Sequence, residues 1–293
     1  TDGTFAGEEA EGNTITASVE WEDYFKVGDA VAISGATNEE NNKTAIIREI
    51  EGGELRFYEH AFVNEGTVEI TLKREVPDLD FICSNENRLW GCRGDTIYAS
   101  KLGDAENWNV FDGISTDSYA VDVGSAGDFT ACVSFLGYPV FFKEESVYKV
   151  YGSKPSNFQV MGSATLGVEK GSHKSLAIAG EILFYLSRAG VMAYSGGIPQ
   201  NIHRAFGLDR YHNAVGGSDG VKYYVSLERD GVYELFVYDT RYSVWHKEDD
   251  TEVVGFAWNN DLCMLTAAGD IVKIGNVRDS EGTWHESGFD SMV

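Results

Sequence analysis

The chain has little of what most enzymes and metal-binding domains are built from. Of its 293 residues only four are cysteine, and Cys83, Cys92, Cys132 and Cys263 form no Cys-x-x-Cys pair and have no histidine at ligand spacing. They are expected to be free thiols buried in strand-like apolar runs. That reading excludes a disulfide framework and a structural zinc site, and it fits synthesis in a reducing compartment. No metal and no cofactor is expected. Proline is also scarce, at four residues, and no apolar run approaches the roughly 18 residues that would carry a helix across a bilayer, so no membrane segment is expected.

Catalytic motifs are missing too. There is no Gly-x-Ser-x-Gly elbow and no His-Glu-x-x-His, and the six histidines, His60, His173, His203, His212, His246 and His285, are scattered. Gly162-Ser163-Ala164-Thr165-Leu166-Gly167 has the glycine spacing of a phosphate loop, but Val168 and Glu169 stand where Lys and Ser or Thr are required, and an acid there repels phosphate. Asp112, Asp117, Asp122 and Asp128 lack the alternate-residue spacing and central glycine of a calcium loop, and Asp78-Leu79-Asp80 has no basic or glycine-rich partner. We therefore expect no enzyme, and we assign no catalytic, ligand-binding or metal residue.

Positive charge is the third shortage. Lys and Arg total 23 against 47 acids, a net charge of -24. Residues 1–77 hold 17 acidic and 6 basic side chains, and so carry -11 of that total. Gripping a phosphate backbone depends on Lys and Arg releasing counterions, so specific nucleic-acid binding is not expected.

What the chain does have is glycine, 33 residues of it, with aromatic and β-branched residues in short runs. That composition favours pleated strands joined by tight turns, and no helix longer than about two turns is expected. From residue 78 one plan repeats five times: an apolar stretch, a turn, a hairpin of alternating aromatic and aliphatic residues, and a last segment usually carrying Trp or Phe. The hairpins open near Asn87, Gly137, Gly180, Gly220 and Asn260, steps of roughly 40 to 50 residues that match propeller blades.

We therefore expect an all-β fold, a β-propeller of at least five four-stranded blades near 79–111, 129–161, 173–203, 212–247 and 253–287, over residues 78–293. The first blade is expected to end in a strand at Trp108–Phe111 and the fifth in one at Thr283–His285. The aromatic of each outer strand is expected to pack on the following blade. Trp90, Tyr98, Phe141, Tyr148, Phe184, Tyr224, Phe236 and Leu265 should be buried. Residues 1–77 do not share the repeat. Five short strands, at 14–19, 30–33, 44–50, 55–58 and 68–72, point to a small acidic β-barrel-like domain, with Pro77 as its boundary. The start without Met and the stop at Ser291-Met292-Val293 lead us to expect that this is a fragment of a longer chain.

Asn87-Arg88-Leu89-Trp90-Gly91, then Asp95 to Asp104 and Asn107-Trp108-Asn109, resembles the propeller of tailed-bacteriophage tail nozzle and head-stabilisation proteins. Thr165-Leu166-Gly167, Phe184-Tyr185-Leu186-Ser187, Gly190-Val191, Tyr194-Ser195-Gly196-Gly197 and Trp284-His285-Glu286-Ser287-Gly288 are similar to later parts of the same family. The resemblance spans roughly residues 78 to 290. It implies a virion structural protein of the tail or neck, made in the host bacterial cytoplasm, that works by assembly. Its implied partners are other phage tail or neck proteins, with a homo-oligomeric ring lining or capping the DNA exit path. A carbohydrate- or cell-surface-binding propeller is the alternative, and a propeller enzyme such as a glycoside hydrolase a third reading.

Overall fold

The computed structural model describes residues 1–7, 13–58, 62–207, 209–274, 276–278 and 284–286. It falls into two compact units, Thr1–Gly124 with Tyr151–Gln159, and Ser125–Val150 with Val160–Val293. The fold is all-β: a seven-stranded sheet is followed by a propeller-like series of antiparallel sheets, most of them four-stranded.

The seven-stranded sheet is made of β1 (Asp2–Ala6), β2 (Thr14–Ala17), β3 (Ala30–Ser34), β4 (Thr44–Glu51), β5 (Glu54–Phe57), β6 (Glu65–Glu69) and β7 (Thr71–Glu75), in the order β6-β1-β2-β5-β4-β3-β7. Its two edges, β6 and β7, are one stretch of chain broken only at Ile70, so the sheet curls until both edges meet, which gives it the form of a small barrel. Ala45 and Ile47 on β4 and Leu55 and Phe57 on β5 alternate inward, as the period-2 rule requires. They pack with Phe5, Ile15, Val31, Phe62 and Ile70, and Phe62 meets Phe5 and Phe57 edge-on at 5.3 and 5.4 Å. Two features escaped the five-strand expectation. β1 buries a single large side chain, Phe5, too little for a pattern, and the strand expected over 68–72 is the middle of the longer bent segment.

The first four-stranded sheet holds β8 (Phe81–Asn85), β9 (Arg88–Arg93), β10 (Thr96–Ala99) and β11 (Tyr119–Asp122). The second holds β12 (Ala131–Phe135), β13 (Tyr138–Lys143), β14 (Ser146–Tyr151) and β15 (Gln159–Ala164); the third, β16 (Ala177–Ala179), β17 (Ile182–Ser187), β18 (Gly190–Tyr194) and β19 (Gln200–Asn201). The fourth holds β20 (His212–Ser218), β21 (Lys222–Arg229), β22 (Val232–Asp239) and β23 (Val244–Asp249). Each is a meander in chain order. The first turns of the first three sheets fall between paired Asn85 and Arg88, Phe135 and Tyr138, and Ala179 and Ile182. The two residues inside each turn have positive φ, the geometry of two-residue hairpins whose twist matches the strands. This is why Asn87, Gly137 and Gly180 marked them.

Four expectations need correction. The first sheet ends in β11, not at Trp108–Phe111; Trp108 is buried in the preceding connection, its indole donating to Ala105 O at 3.0 Å, and Phe111 is exposed. The fifth sheet has three described strands, β24 (Val253–Asn259), β25 (Asp261–Thr266) and β26 (Ile271–Lys273). Of the segment expected to complete it, Thr283 lies outside the described residues, and Trp284–Glu286 (β28) pairs with Asn276–Arg278 (β27) instead. Leu265 is 40% exposed, on the sheet face opposite Met264, and Tyr98 is only partly buried, while the other six expected core residues are buried. Only Cys92 is fully buried, and Cys83, Cys132 and Cys263 are partly exposed.

The outer aromatics pack backward, not forward. Phe158, just ahead of β15, sits edge-on at 5.1 Å from both Trp90 and Tyr119 of the first sheet. Trp245 on β23 donates its indole N–H to Ile202 O, beside the third sheet, at 3.0 Å. Between the third and fourth sheets Phe184 stacks on Tyr223 at 5.0 Å, and between the second and third Phe142 meets Tyr185 at 5.2 Å.

Candidate functional site

In each meander the first and third turns share one end of the sheet, and the second turn and the link to the next sheet share the other. At the latter end of the third and fourth sheets the chain gathers its densest set of buried ionisable groups. Glu234, on β22, is buried and central: its Oε1 accepts from Lys247 Nζ at 2.7 Å and its Oε2 from the Tyr211 hydroxyl at 3.0 Å, with Arg229 Nη2 at 3.4 Å. Arg229 also pairs with Asp209 and lies over the Tyr211 ring. Beside them Glu169 Oε1 contacts His212 Nδ1 at 2.9 Å and Arg210 Nη2 at 3.4 Å, while its buried Oε2 has no partner. His203 is buried, its Nε2 3.0 Å from Asp209 O.

The protonation states decide what this cluster can do. Burial, and then the hydrogen bond to Glu234, push the Tyr211 hydroxyl up to about 12. Burial pulls Glu234 upward, but Lys247, Tyr211 and Arg229 together outweigh it and hold the carboxyl below its usual range. Near neutral pH the pair is therefore a fixed phenol donor and a fixed carboxylate acceptor. A catalytic acid or base needs a pKa near the working pH, and a tyrosine nucleophile needs a lowered one, so this pair is poised for neither role. Burial likewise keeps His203 neutral, by pushing it below its ordinary value. The cluster joins β20, β21, β22 and β23 to the links that precede them.

The sequence motifs resolve in the same direction. Asp117 is buried, its Oδ2 accepting from Gly113 N at 2.6 Å and Ile114 N at 3.0 Å, which closes a turn. Asp122 accepts from Thr96, and Asp78 pairs with Arg93. The supposed phosphate loop begins inside strand β15. His60 lies outside the described residues, as does the side chain of His285. Among the described residues no three His, Cys, Asp or Glu side chains converge as metal ligands, and no helix is long and apolar enough to cross a membrane.

Two buried cations went unread in the sequence. Arg88, at the head of β9, donates Nη1 to Ser100 O (2.7 Å) and Asp117 O (2.5 Å) and Nη2 to Ser115 O (3.0 Å), so one guanidinium folds the long link between β10 and β11. Lys143, at the end of β13, donates to Ser125 O at 3.0 Å and to Ser125 Oγ at 2.7 Å, under the ring of Phe129. A single charge inside an apolar strand was the available signal for each. Within the first unit, Asp29 is fully buried and accepts from Arg74 Nε at 2.8 Å, and Arg74 continues to Glu106 at 3.0 Å, tying β3 and β7 to the link after β10.

No protein-family model matches the chain, and no curated protein matches it. Among solved structures it is similar to a protein of Bacteroides fragilis NCTC 9343 described as exported, at 12% identity and TM-score 0.38, over 91% of this chain and 83% of that one. It is also similar to the extracellular domain of a protein of B. thetaiotaomicron described as a one-component system, at 12% identity and TM-score 0.28, over 96% of this chain and 53% of that one. A third likeness is to phage phi92 endosialidase, at 10% identity and TM-score 0.25, over 100% of this chain and 61% of that one. The chain thus spans little more than half the length of the last two. Likeness at this level assigns no residue and no activity to it.

Proposed function

We propose that the chain is a structural component of a tailed-phage virion, of the tail or neck, and that it acts by assembly and not by catalysis. The observation that carries this reading is the use made of its buried charges. Arg88, Lys143, Asp29 and Glu234 each bind the backbone or an opposite charge of another segment, and Asp117 closes a turn of its own link, so these groups serve to hold each sheet to its links. The resemblance of residues 78 to 290 to tail nozzle and head-stabilisation proteins supports the same reading. Acidic surface turned toward an exit path would repel DNA within a Debye length of roughly 8 Å at physiological salt and keep it from adhering.

Deleting the coding region from an inducible prophage tests the proposal. Particles from the deletion should lack a normal tail or neck and lose infectivity; intact infectious particles would count against it. In a gel shift at about 0.15 M salt, duplex DNA should not be retarded at concentrations that saturate ordinary nonspecific binders, roughly 10⁻⁴ to 10⁻⁶ M.

Exposed Trp258 and Tyr242 favour one second reading, a carbohydrate-binding surface, because flat aromatic rings stack on sugars. A glycan array separates the two. Specific glycan capture that is lost in Trp258→Ala would favour this second reading.

A further inference from the structure

The last strands of the four-stranded sheets are guarded unequally. A strand at the edge of a sheet presents unpaired N–H and C=O groups, and native proteins blunt such edges with charge, proline, bulges or brevity. The first sheet ends in β11, a short strand that carries Asp122, and the third in β19, which is only two residues long. The fourth ends in β23, with Lys247, Glu248 and Asp249 and a register shift against β22. The second ends in β15, Gln-Val-Met-Gly-Ser-Ala, six residues with no charge and no proline. The opposite edges of the third, fourth and fifth sheets lie together instead, β16 beside β20 and β20 beside β24.

The ladder decides which backbone groups of β15 point outward. Thr165 N donates to Glu145 O at 3.1 Å, and a Cβ placed on Gly162 would lie 2.5 Å from the Tyr148 ring. Both observations fit one antiparallel register on β14. In it Met161 and Ser163 turn their N–H and C=O toward β14, while Val160, Gly162 and Ala164 turn theirs away. No strand pairs with that outer side among the described residues. The way to it is open, since Met161 is 57% exposed and Gly162, Ser163 and Ala164 are exposed as well.

From this we infer that β15 is a strand-addition edge, occupied by an extended basic segment of a different protein. The inference builds on the assembly reading above and names one contact through which it would act. Geometry and charge select the occupant. A row of outward N–H and C=O groups at every second residue is matched by another extended backbone running alongside it, held by main-chain hydrogen bonds. The net charge of -24 attracts a positive segment and repels a second copy of the chain. Met161, unbranched and adaptable, offers the incoming strand an apolar contact.

Fluorescence polarisation on the full chain tests the inference, with a short end-capped peptide of alternating lysine and valine as the probe. Its control is the same peptide N-methylated on adjacent central residues, which keeps the charge but blocks both edges of the strand. Ala164→Pro removes an outward donor where an edge strand tolerates proline. Met161→Lys places a guarding charge on an exposed side chain, and Val232→Lys adds the same charge at an exposed position of the fourth sheet. Each variant is first checked for the near-ultraviolet circular dichroism of the wild type. The wild type should bind the probe with a dissociation constant below about 1 mM. N-methylation, Ala164→Pro and Met161→Lys should each weaken binding about tenfold, the upper range for one hydrogen bond, and Val232→Lys should not. No binding, equal binding of the two peptides, or full affinity in both β15 variants would overturn the inference. Dimerisation of the free chain that Ala164→Pro abolishes would assign the edge to a second copy and overturn it too. Particles that assemble normally around the Ala164→Pro chain would overturn strand addition and leave the assembly reading standing. A chain absent from particles that still binds the probe through β15 would do the reverse.

Discussion

The indole N–H of Trp245 donates to the carbonyl of Ile202 at 3.0 Å, and through this bond the outer strand of the fourth sheet is fastened to the sheet before it. The ring is buried among Phe206, Tyr238 and Phe236. Trp245→Phe keeps most of the packing and should cost about 1 kcal/mol, the usual net value of a hydrogen bond. Trp245→Ala should cost about 3 to 5 kcal/mol, as large-to-small core changes do. Urea unfolding midpoints of the two variants measure the difference, and an unchanged midpoint in Trp245→Phe would show that the bond to Ile202 contributes nothing.

Asp239 gives the chain an acid limit. Its carboxylate accepts from Arg241 Nη2 at 2.7 Å, from Arg241 Nε at 3.1 Å and from the Arg241 backbone N–H at 3.0 Å. Those bonds outweigh burial and hold it at about 2. A carboxyl lowered in the folded state stabilises fully above its unfolded value, near about 3.9, and that contribution fades as the pH falls toward the folded value. Stability should therefore drop between roughly pH 4 and 2, and the drop should be shallower in Asp239→Asn. Thermal melts along a pH series read both slopes.

The tyrosines set a limit at the alkaline side. Burial raises Tyr185, Tyr223 and Tyr224 far above the ordinary phenol, and their hydroxyls donate to Leu166 O, Ser175 O and Asp219. An acid raised in the folded state costs stability once the pH passes its unfolded value near about 10, because only the unfolded chain releases the proton. Phenolate absorbance of the native protein should account for fewer than the 15 tyrosines until the chain unfolds. Titration of all 15 before the near-ultraviolet circular dichroism is lost would contradict this.

How much of this was readable in the sequence depends on which interaction shapes a segment. Asn87, Gly137 and Gly180 betrayed their hairpins because a two-residue turn with positive φ leaves few residue choices. Continuous runs such as Leu183 to Leu186 betrayed strands covered on both faces. Trp108 misled because an aromatic in a polar stretch looks like an outer strand, whereas it is fixed by Ala105 and by a link that Arg88 folds from a distance in sequence. Leu265 misled because alternation locates the two faces of a strand but not which of them a neighbour covers. The cluster around Glu234 was invisible, since Tyr211, Arg229 and Lys247 come from three separate segments that only the meander brings together.

The most direct test of the central claim is to quantify the chain by mass spectrometry in gradient-purified particles from a phage or lysogen that encodes it. The account predicts the chain in the particles at a fixed copy number relative to the portal and tail proteins, retained through a high-salt wash. Expression in the infected cell together with absence from washed particles would contradict it.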